Sequence, residues 1–412
     1  MDHRFLACLF FPALCMGCVK TAPREAVPLP AAAMAAPTAA IETRGRPGSS
    51  EDGPLPEDSP LGASREQAVR MAAAMEDRLL AAQVIMAGVD GNGGLGEPMR
   101  ALLRAVPAGG IMLFSYNLQV EKEDIHPFLE TLSVLVAEPG IAPFIAVDHE
   151  GGSVHRFGTA IERLPPPLSF WDMAQIEGKE YALAMVEASA RRSGGELRAL
   201  GITMNLAPVA EVLTGENRLF LDDRSYGPDA AFVEDAAAAF VRGMSAAGIA
   251  CVVKHFPGNT GVDPHRAAPL LPGDRETLDR MIRPFAGLIR RVSPAALMVS
   301  HGIVPAWDET RNASLSAPVI RGWIREDLGF TGIVLADDFS MGALAALGLS
   351  PEEAAVEALK AGVDMVMTWP KDLKGLHGAI LGALGRGVLS RERLREAAAH
   401  ILFEKIRYGL IR

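Results

Sequence analysis

A chain of 412 residues that is 49% hydrophobic and 22% charged can bury a large core, as one large domain or two ordinary ones. Its formal net charge of −10 argues against nucleic acid as a partner, because neutralising phosphates needs a basic face; a neutral ligand fits better. The four cysteines, Cys8, Cys15, Cys18 and Cys251, leave no disulfide framework or zinc-type spacing in the body, although Cys15 and Cys18 form a C-x-x-C open to a redox or metal reading.

In chain order, "FLACLFFPALCM" (Phe5–Met16) follows Arg4 and ends at Gly17-Cys18, the layout of a secretory signal and too short to span a membrane as a helix. The segment "CMGC" resembles a loose bacterial lipobox. Residues 1–17 are therefore expected to be a lipoprotein-type signal peptide, with Cys18 lipidated as the first residue of the mature chain; ordinary cleavage elsewhere or retention as a weak anchor are the competing readings. Residues 18–64, rich in Pro, Ala, Gly and Ser without amphipathic period, read as a disordered tether. The body is expected over 65–412, opening with a helical segment from Arg65 to Ala81.

From there, short apolar runs recur at 83–90, 109–114, 143–150, 202–210, 249–256, 295–302, 332–339 and 364–370. Between them lie stretches of helical period such as "DAAFVEDAAAAFVRGMSAAG" and "SPEEAAVEALKAG", each ending in the Gly that stops a helix. Continuous apolar strands separated by helices mean parallel strands buried on both faces, and eight such units are the count of a (β/α)8 TIM-type barrel. A doubly wound open sheet is the alternative, without a G-x-G-x-x-G after the first strand.

Polar residues collect at the C-terminal ends of these runs: Asp90, Asp148, Asn205, Lys254, His255, His301, Asp337 and Asp338. In a barrel those ends converge on the face where active sites are built. Any one of them alone reads as a cap or a salt-bridge residue. Eight together suggest an enzyme acting on a polar, hydroxyl-rich substrate. The phosphate loop, H-E-x-x-H, G-x-S-x-G and basic-set cysteine are all missing, and no cofactor is expected; a metal is allowed but not demanded. Carboxylate chemistry remains, in which a carboxylate attacks an acetal and a histidine donates the proton, the retaining route to glycoside hydrolysis.

Seven ordered motifs then carry a resemblance: "AVDHEGGSVHRF", "NLAPVAEV", "DRSYG", "KHFPG", "DPH", "LADDFSMGAL" and "EALKAGVDMVM". From about Asp77 to Arg412 the chain is similar to glycoside hydrolase family three, in its single-domain β-N-acetylhexosaminidase branch. The resemblance implies a retaining exo-acting enzyme that removes terminal N-acetylglucosamine from cell-wall fragments or related glycans. It implies Asp337 as the nucleophile, His265 as the acid/base paired with Asp263, and Asp148, Arg224, Lys254 and His255 as the grip on the hydroxyls and the 2-acetamido group. Arg156, Asn205 and His301 either support that site or are satisfied strand-end residues. Strand alternation sends neighbouring side chains to opposite faces, so only one of Asp337 and Asp338 is expected at the mouth, and the resemblance selects Asp337.

Relatives usually read K-H-F-P-G-H-G and then, after a longer insert, D-S-H. Here Asn259 stands for the second histidine, Thr260 intervenes before Gly261, the loop is about two residues shorter, and Pro264 sits inside the dyad. His149, Ser153 and Glu211 stand where glutamine, arginine and aspartate are usual. The readings left open are a β-N-acetylglucosaminide phosphorylase, a non-catalytic sugar-binding lipoprotein and, less well matched, a β-glucosidase. A monomer is expected, anchored by its lipid in the cell envelope and facing the periplasm or the surface.

Overall fold

The computed structural model describes residues 60–411 other than 139, 264, 265, 342, 343, 345 and 346. The signal and most of the tether, including Cys18, lie outside the described residues, as does His265. In place of one opening helix the chain forms two, Pro60–Ala74 and Asp77–Gln83. The interruption falls at Glu76, whose ψ of 154° is extended, so the apolar period continues while the backbone does not.

All eight apolar runs contain strands. They are β1 (Ile85–Gly88), β2 (Gly110–Leu113), β3 (Phe144–Val147), β4 (Met204–Asn205), β5 (Ala250–Phe256) and β6 (Ala296–Val299), then β9 (Ile333–Ala336) and β10 (Val366–Thr368). Each of the eight pairs in parallel with its neighbour in the order β10-β1-β2-β3-β4-β5-β6-β9. An isolated parallel bridge from Leu335 to Met365 joins the two ends of that order. The result is a nearly closed eight-stranded parallel barrel ringed by helices, and the doubly wound alternative is excluded. Between β6 and β9 the chain adds two elements the apolar pattern does not announce. One is an antiparallel hairpin of β7 (Ile303–Val304) and β8 (Asp308–Asn312), the other a π-helical segment Pro318–Asp327.

The elements follow from local chemistry. The strands β1, β2, β3, β6 and β9 are buried at every residue, as a sheet covered on both faces requires. The helix Pro351–Ala361 starts on a capping box, with Ser350 and Glu353 answering each other's backbone N–H groups, and the helix Arg275–Val292 starts where the Asp274 side chain accepts from Thr277 N. Both satisfy donors a helix start leaves unpaired. The helix Lys179–Leu200 ends at Gly201, whose φ of +97° is a conformation glycine adopts at little steric cost. Cys251, in the middle of β5, is buried and free, and burial pushes its thiol up from the ordinary value.

Candidate active site

The strand β5 is buried at all seven positions although its sequence is "ACVVKHF". A lysine and a histidine inside a fully buried strand need partners, and the neighbouring strand ends supply them. Lys254 Nζ donates to Asp148 Oδ1 and also lies against Glu150 Oε1, both at 2.7 Å. Arg224 grips the same Glu150 with two hydrogen bonds, Nε to Oε2 at 2.7 Å and Nη2 to Oε1 at 2.9 Å. Arg156 Nη2 reaches Asp148 Oδ2 at 3.3 Å. Three cations therefore hold the two carboxylates that follow β3.

Burial alone would raise both carboxyls, but the cations outweigh it. Asp148 is held below the ordinary carboxylate range by Lys254 and Arg156, and Glu150 well below it by Lys254 and Arg224. Burial likewise acts to lower Lys254, and Asp148 and Glu150 reverse that and raise it. The cluster is ionised across the neutral range.

Asp148, Glu150, Arg156, Arg224, Lys254 and His255 line one cavity of about 460 Å3 together with Asp337 and Asp338. Lys254 and His255 are joined by a cis peptide bond. His255 Nδ1 donates to Glu211 Oε1 at 2.6 Å; Asn259 holds that carboxylate in turn, through its backbone N at 2.6 Å and its Nδ2 at 3.2 Å to each oxygen. The opposite wall is apolar and aromatic, with Met112, Met298 and Met367 beside Phe114 and Trp369, whose rings stack at 4.8 Å between centroids.

The expectation that only one of the paired aspartates faces the mouth is overturned. β9 stops at Ala336, so Asp337 and Asp338 stand beyond the pleat that would have sent them apart, and both line the cavity. They are held differently. Asp337 Oδ1 accepts from the Asp338 amide at 2.9 Å. Asp338 accepts from Trp369 Nε1 at 3.0 Å and from Ser340 N at 2.9 Å. Asp338 is thus tied to the wall by two donors.

Three strand-end residues do not line the cavity. Asp90 is exposed. Asn205 is fully buried and clamps His149, accepting from its N and donating to its O at 2.9 Å each. His301 is fully buried, with Nδ1 at 2.7 Å from Ser314 Oγ and Nε2 at 3.1 Å from Asp338 O. Burial lowers its pKa despite the pull of Asp337, so as a neutral imidazole donating through Nε2 it steadies the loop that carries the aspartates. Asp263 lies on the loop after β5, 3.6 Å from Arg266, and does not line this cavity. The structure thus brings together Asp337, Asp148, Arg224, Lys254 and His255, and leaves Asp263 outside.

Sequence reasoning missed Glu150, Phe114 and Trp369. A signal for Glu150 existed: it is a second carboxylate two residues beyond Asp148 at the C-terminal end of the same apolar run, where the site residues of a barrel gather. Among the described residues no group of three or more His, Cys, Asp and Glu side chains is placed to hold a metal ion.

A parallel barrel whose C-terminal mouth gathers carboxylates, fixed cations and an aromatic wall defines an enzyme for a polar, ring-shaped substrate. Residues 80–403 match the glycosyl hydrolase family 3 N-terminal domain. A β-hexosaminidase of Thioalkalivibrio sulfidiphilus is 35% identical over 291 residues, which cover 69% of this chain and 79% of that protein. Among solved structures, a glycoside hydrolase family 3 β-N-acetylglucosaminidase from Paenibacillus sp. str. FPU-7 superposes with a TM-score of 0.76 at 32% identity, over 82% of this chain and 63% of that one. This chain thus spans less than two thirds of that protein's length. A family 3 glycosyl hydrolase of Mycobacterium smegmatis aligns with a TM-score of 0.70 at 26% identity, over 83% of this chain and 98% of that one. The chain belongs to glycosyl hydrolase family 3, and it is a glycoside hydrolase.

Proposed function

We propose that the protein is a retaining exo-β-N-acetylhexosaminidase that removes terminal N-acetylglucosamine from cell-wall fragments or related glycans. The observation that carries this reading is Asp337, less tied than Asp338, facing the Lys254, Arg224, Asp148 and Glu150 cluster across one cavity. The names of the relatives, a β-hexosaminidase and a β-N-acetylglucosaminidase, support the same sugar.

In the reaction an Asp337 oxygen attacks the anomeric carbon, and the bond to the leaving oxygen breaks as His265 gives that oxygen its proton. A glycosyl ester of Asp337 results. The neutral His265 then takes a proton from water, the water oxygen attacks the anomeric carbon, and Asp337 leaves. Asp263 favours the protonated imidazole by its charge. Asp148 accepts from sugar hydroxyls, while Arg224 and Lys254 donate; His255, whose Nδ1–H is used on Glu211, presents Nε2 as an acceptor. Asp263 stands off the cavity, so the reading requires the loop after β5 to carry Asp263 toward it when substrate binds.

The decisive assay is hydrolysis of an aryl β-N-acetylglucosaminide with and without inorganic phosphate. Release of free N-acetylglucosamine in both cases is the expected result. Sugar phosphate as the main product would make the protein a phosphorylase, and binding without turnover would make it a sugar-binding lipoprotein. The lipid anchor at Cys18, and with it an envelope location, is a separate proposal resting on the sequence before residue 19. Radiolabelled lipid should enter the wild type and not Cys18→Ala.

A further inference from the structure

The proposed nucleophile has one committed oxygen and one open one. Asp337 Oδ1 accepts from the Asp338 amide at 2.9 Å, while Oδ2 takes no hydrogen bond from the described residues. Which oxygen meets the anomeric carbon therefore depends on where the Asp338 amide points, and that depends on what holds Asp338.

Asp338 is held through every polar atom it has. Its carbonyl oxygen accepts from His301 Nε2 at 3.1 Å, its Oδ1 from Ser340 N at 2.9 Å and its Oδ2 from Trp369 Nε1 at 3.0 Å, while its amide donates to Asp337. Ser340 belongs to the same loop and moves with it. His301 and Trp369 tie Asp338 to other strands, the first from beyond β6 and the second from the end of β10.

The indole is itself fixed on two sides. Trp369 follows β10 directly and precedes Pro370, which confines its backbone to the extended region, with a ψ of 157°. Its ring stacks on Phe114 at 4.8 Å and 13°, and Phe114 stacks on Tyr116 at 5.8 Å and 10°. Tyr116 donates its hydroxyl to Val89 O at 3.1 Å. The three rings form a ladder whose last rung carries the N–H bonded to Asp338. A wall for the sugar needs no such bond, since Phe114 lines the same cavity without one.

We propose that Trp369 is a positioning residue for the nucleophile: by holding Asp338 it fixes the Asp338 amide on Asp337 Oδ1 and turns Oδ2 to the sugar. The assignment rests on the hydrolase reading above. A reacting atom displaced by on the order of 1 Å costs about a hundredfold in rate, so this hydrogen bond acts on kcat and hardly on sugar binding. The same amide favours the carboxylate as it departs in the second step.

The test measures Trp369→Phe, Asp338→Ala and the double variant on two substrates, with thermal melting to confirm folding. One substrate is an aryl β-N-acetylglucosaminide; the other is β-N-acetylglucosaminyl fluoride, whose departing fluoride needs little help from an acid. Trp369→Phe keeps an aromatic ring for Phe114 and removes the N–H. It is expected to lower kcat about thirtyfold on both substrates, with the binding of N-acetylglucosamine within about twofold of wild type. Asp338→Ala should cost at least as much, and the double variant no more than Asp338→Ala alone, because the indole acts through that residue. An unchanged kcat with weaker sugar binding in Trp369→Phe would make the ring a wall alone and overturn the proposal. A loss on the aryl substrate without one on the fluoride overturns it too, by moving the effect to the proton donor. So do losses that multiply in the double variant, which break the path through Asp338. Wild type inactive on both substrates has a different meaning: the hydrolase reading is then wrong, and this one falls with it.

Discussion

Buried charge gathers at both ends of this barrel and is used differently at each. At the mouth, Lys254 and Arg224 neutralise Asp148 and Glu150, and all four still line an open cavity. At the floor, Asp364 precedes β10 and is fully buried; it takes Arg393 at 2.7 Å, His400 at 3.0 Å and Arg325. The guanidiniums there are consumed further, Arg393 by the carbonyls of Leu359 and Val363 and Arg325 by those of Phe330 and Gly332. These partners spend most of the floor's hydrogen-bonding capacity inside the fold. The same pairing of Asp and Arg thus builds a site where the set stays open to a cavity, and a fastening where backbone carbonyls close it. Architecture alone does not separate the two; the unspent hydrogen-bonding capacity does.

Substitutions at the two ends should separate activity from stability. The largest effect expected is at the mouth, where Asp337→Ala removes the proposed nucleophile and should lower kcat by roughly ten thousandfold or more, with little change in melting temperature. At the floor, Asp364→Ala strands two buried guanidiniums and should destabilise by about 3–5 kcal/mol, read by urea unfolding, while the KM of the fraction still folded stays near that of wild type. Lys254→Met should lower kcat/KM by about a hundredfold. It should also move the acid limb of the pH profile upward, because Asp148 and Glu150 lose the cation that depresses them and take up protons at higher pH. The smallest effect is at Lys405, where burial lowers the ammonium to about 7. Its nearest polar partner is the neutral Gln83 Oε1 at 2.9 Å. The depressed value means that the folded state resists the charge: the penalty is full below pH 7 and fades as pH rises toward the ordinary lysine value. Lys405→Met should therefore raise stability by about 1–2 kcal/mol near pH 6, with the gain shrinking toward pH 10. A gain independent of pH would break the contrast between paired and unpaired buried charge.

Most of the barrel could be read from apolar runs, since each strand is buried along its length and local composition reports that directly. The hairpin Ile303–Asn312 could not, because β8 reads "DETRN" and is largely exposed, and its pairing depends on the loops around it. At the site, Lys254 and His255 stood out as charge inside an apolar strand. Asp337 and Asp338 could not be separated, because the argument from alternation assumes a strand that in fact ends one residue earlier. Asn205 and His301, which the sequence left as either site supports or satisfied strand-end residues, proved to be fasteners. Whether a polar side chain at a strand end turns to the cavity or to a neighbouring backbone is decided by tertiary contacts, here His149 and Asp338, that the local sequence does not encode.

The bridge between Leu335 and Met365, where the order of strands closes, lies two residues before Asp337 along the chain. Asp364 reinforces that seam, because its Oδ2 also accepts from the Val334 amide at 2.9 Å. The floor network is therefore a brace under the strand that leads to Asp337. Loosening it would open the ring first beside β9, where the amides of Ala336 and Asp337, bonded to Met365 O and Val299 O, would exchange their hydrogens with solvent well ahead of those in β5.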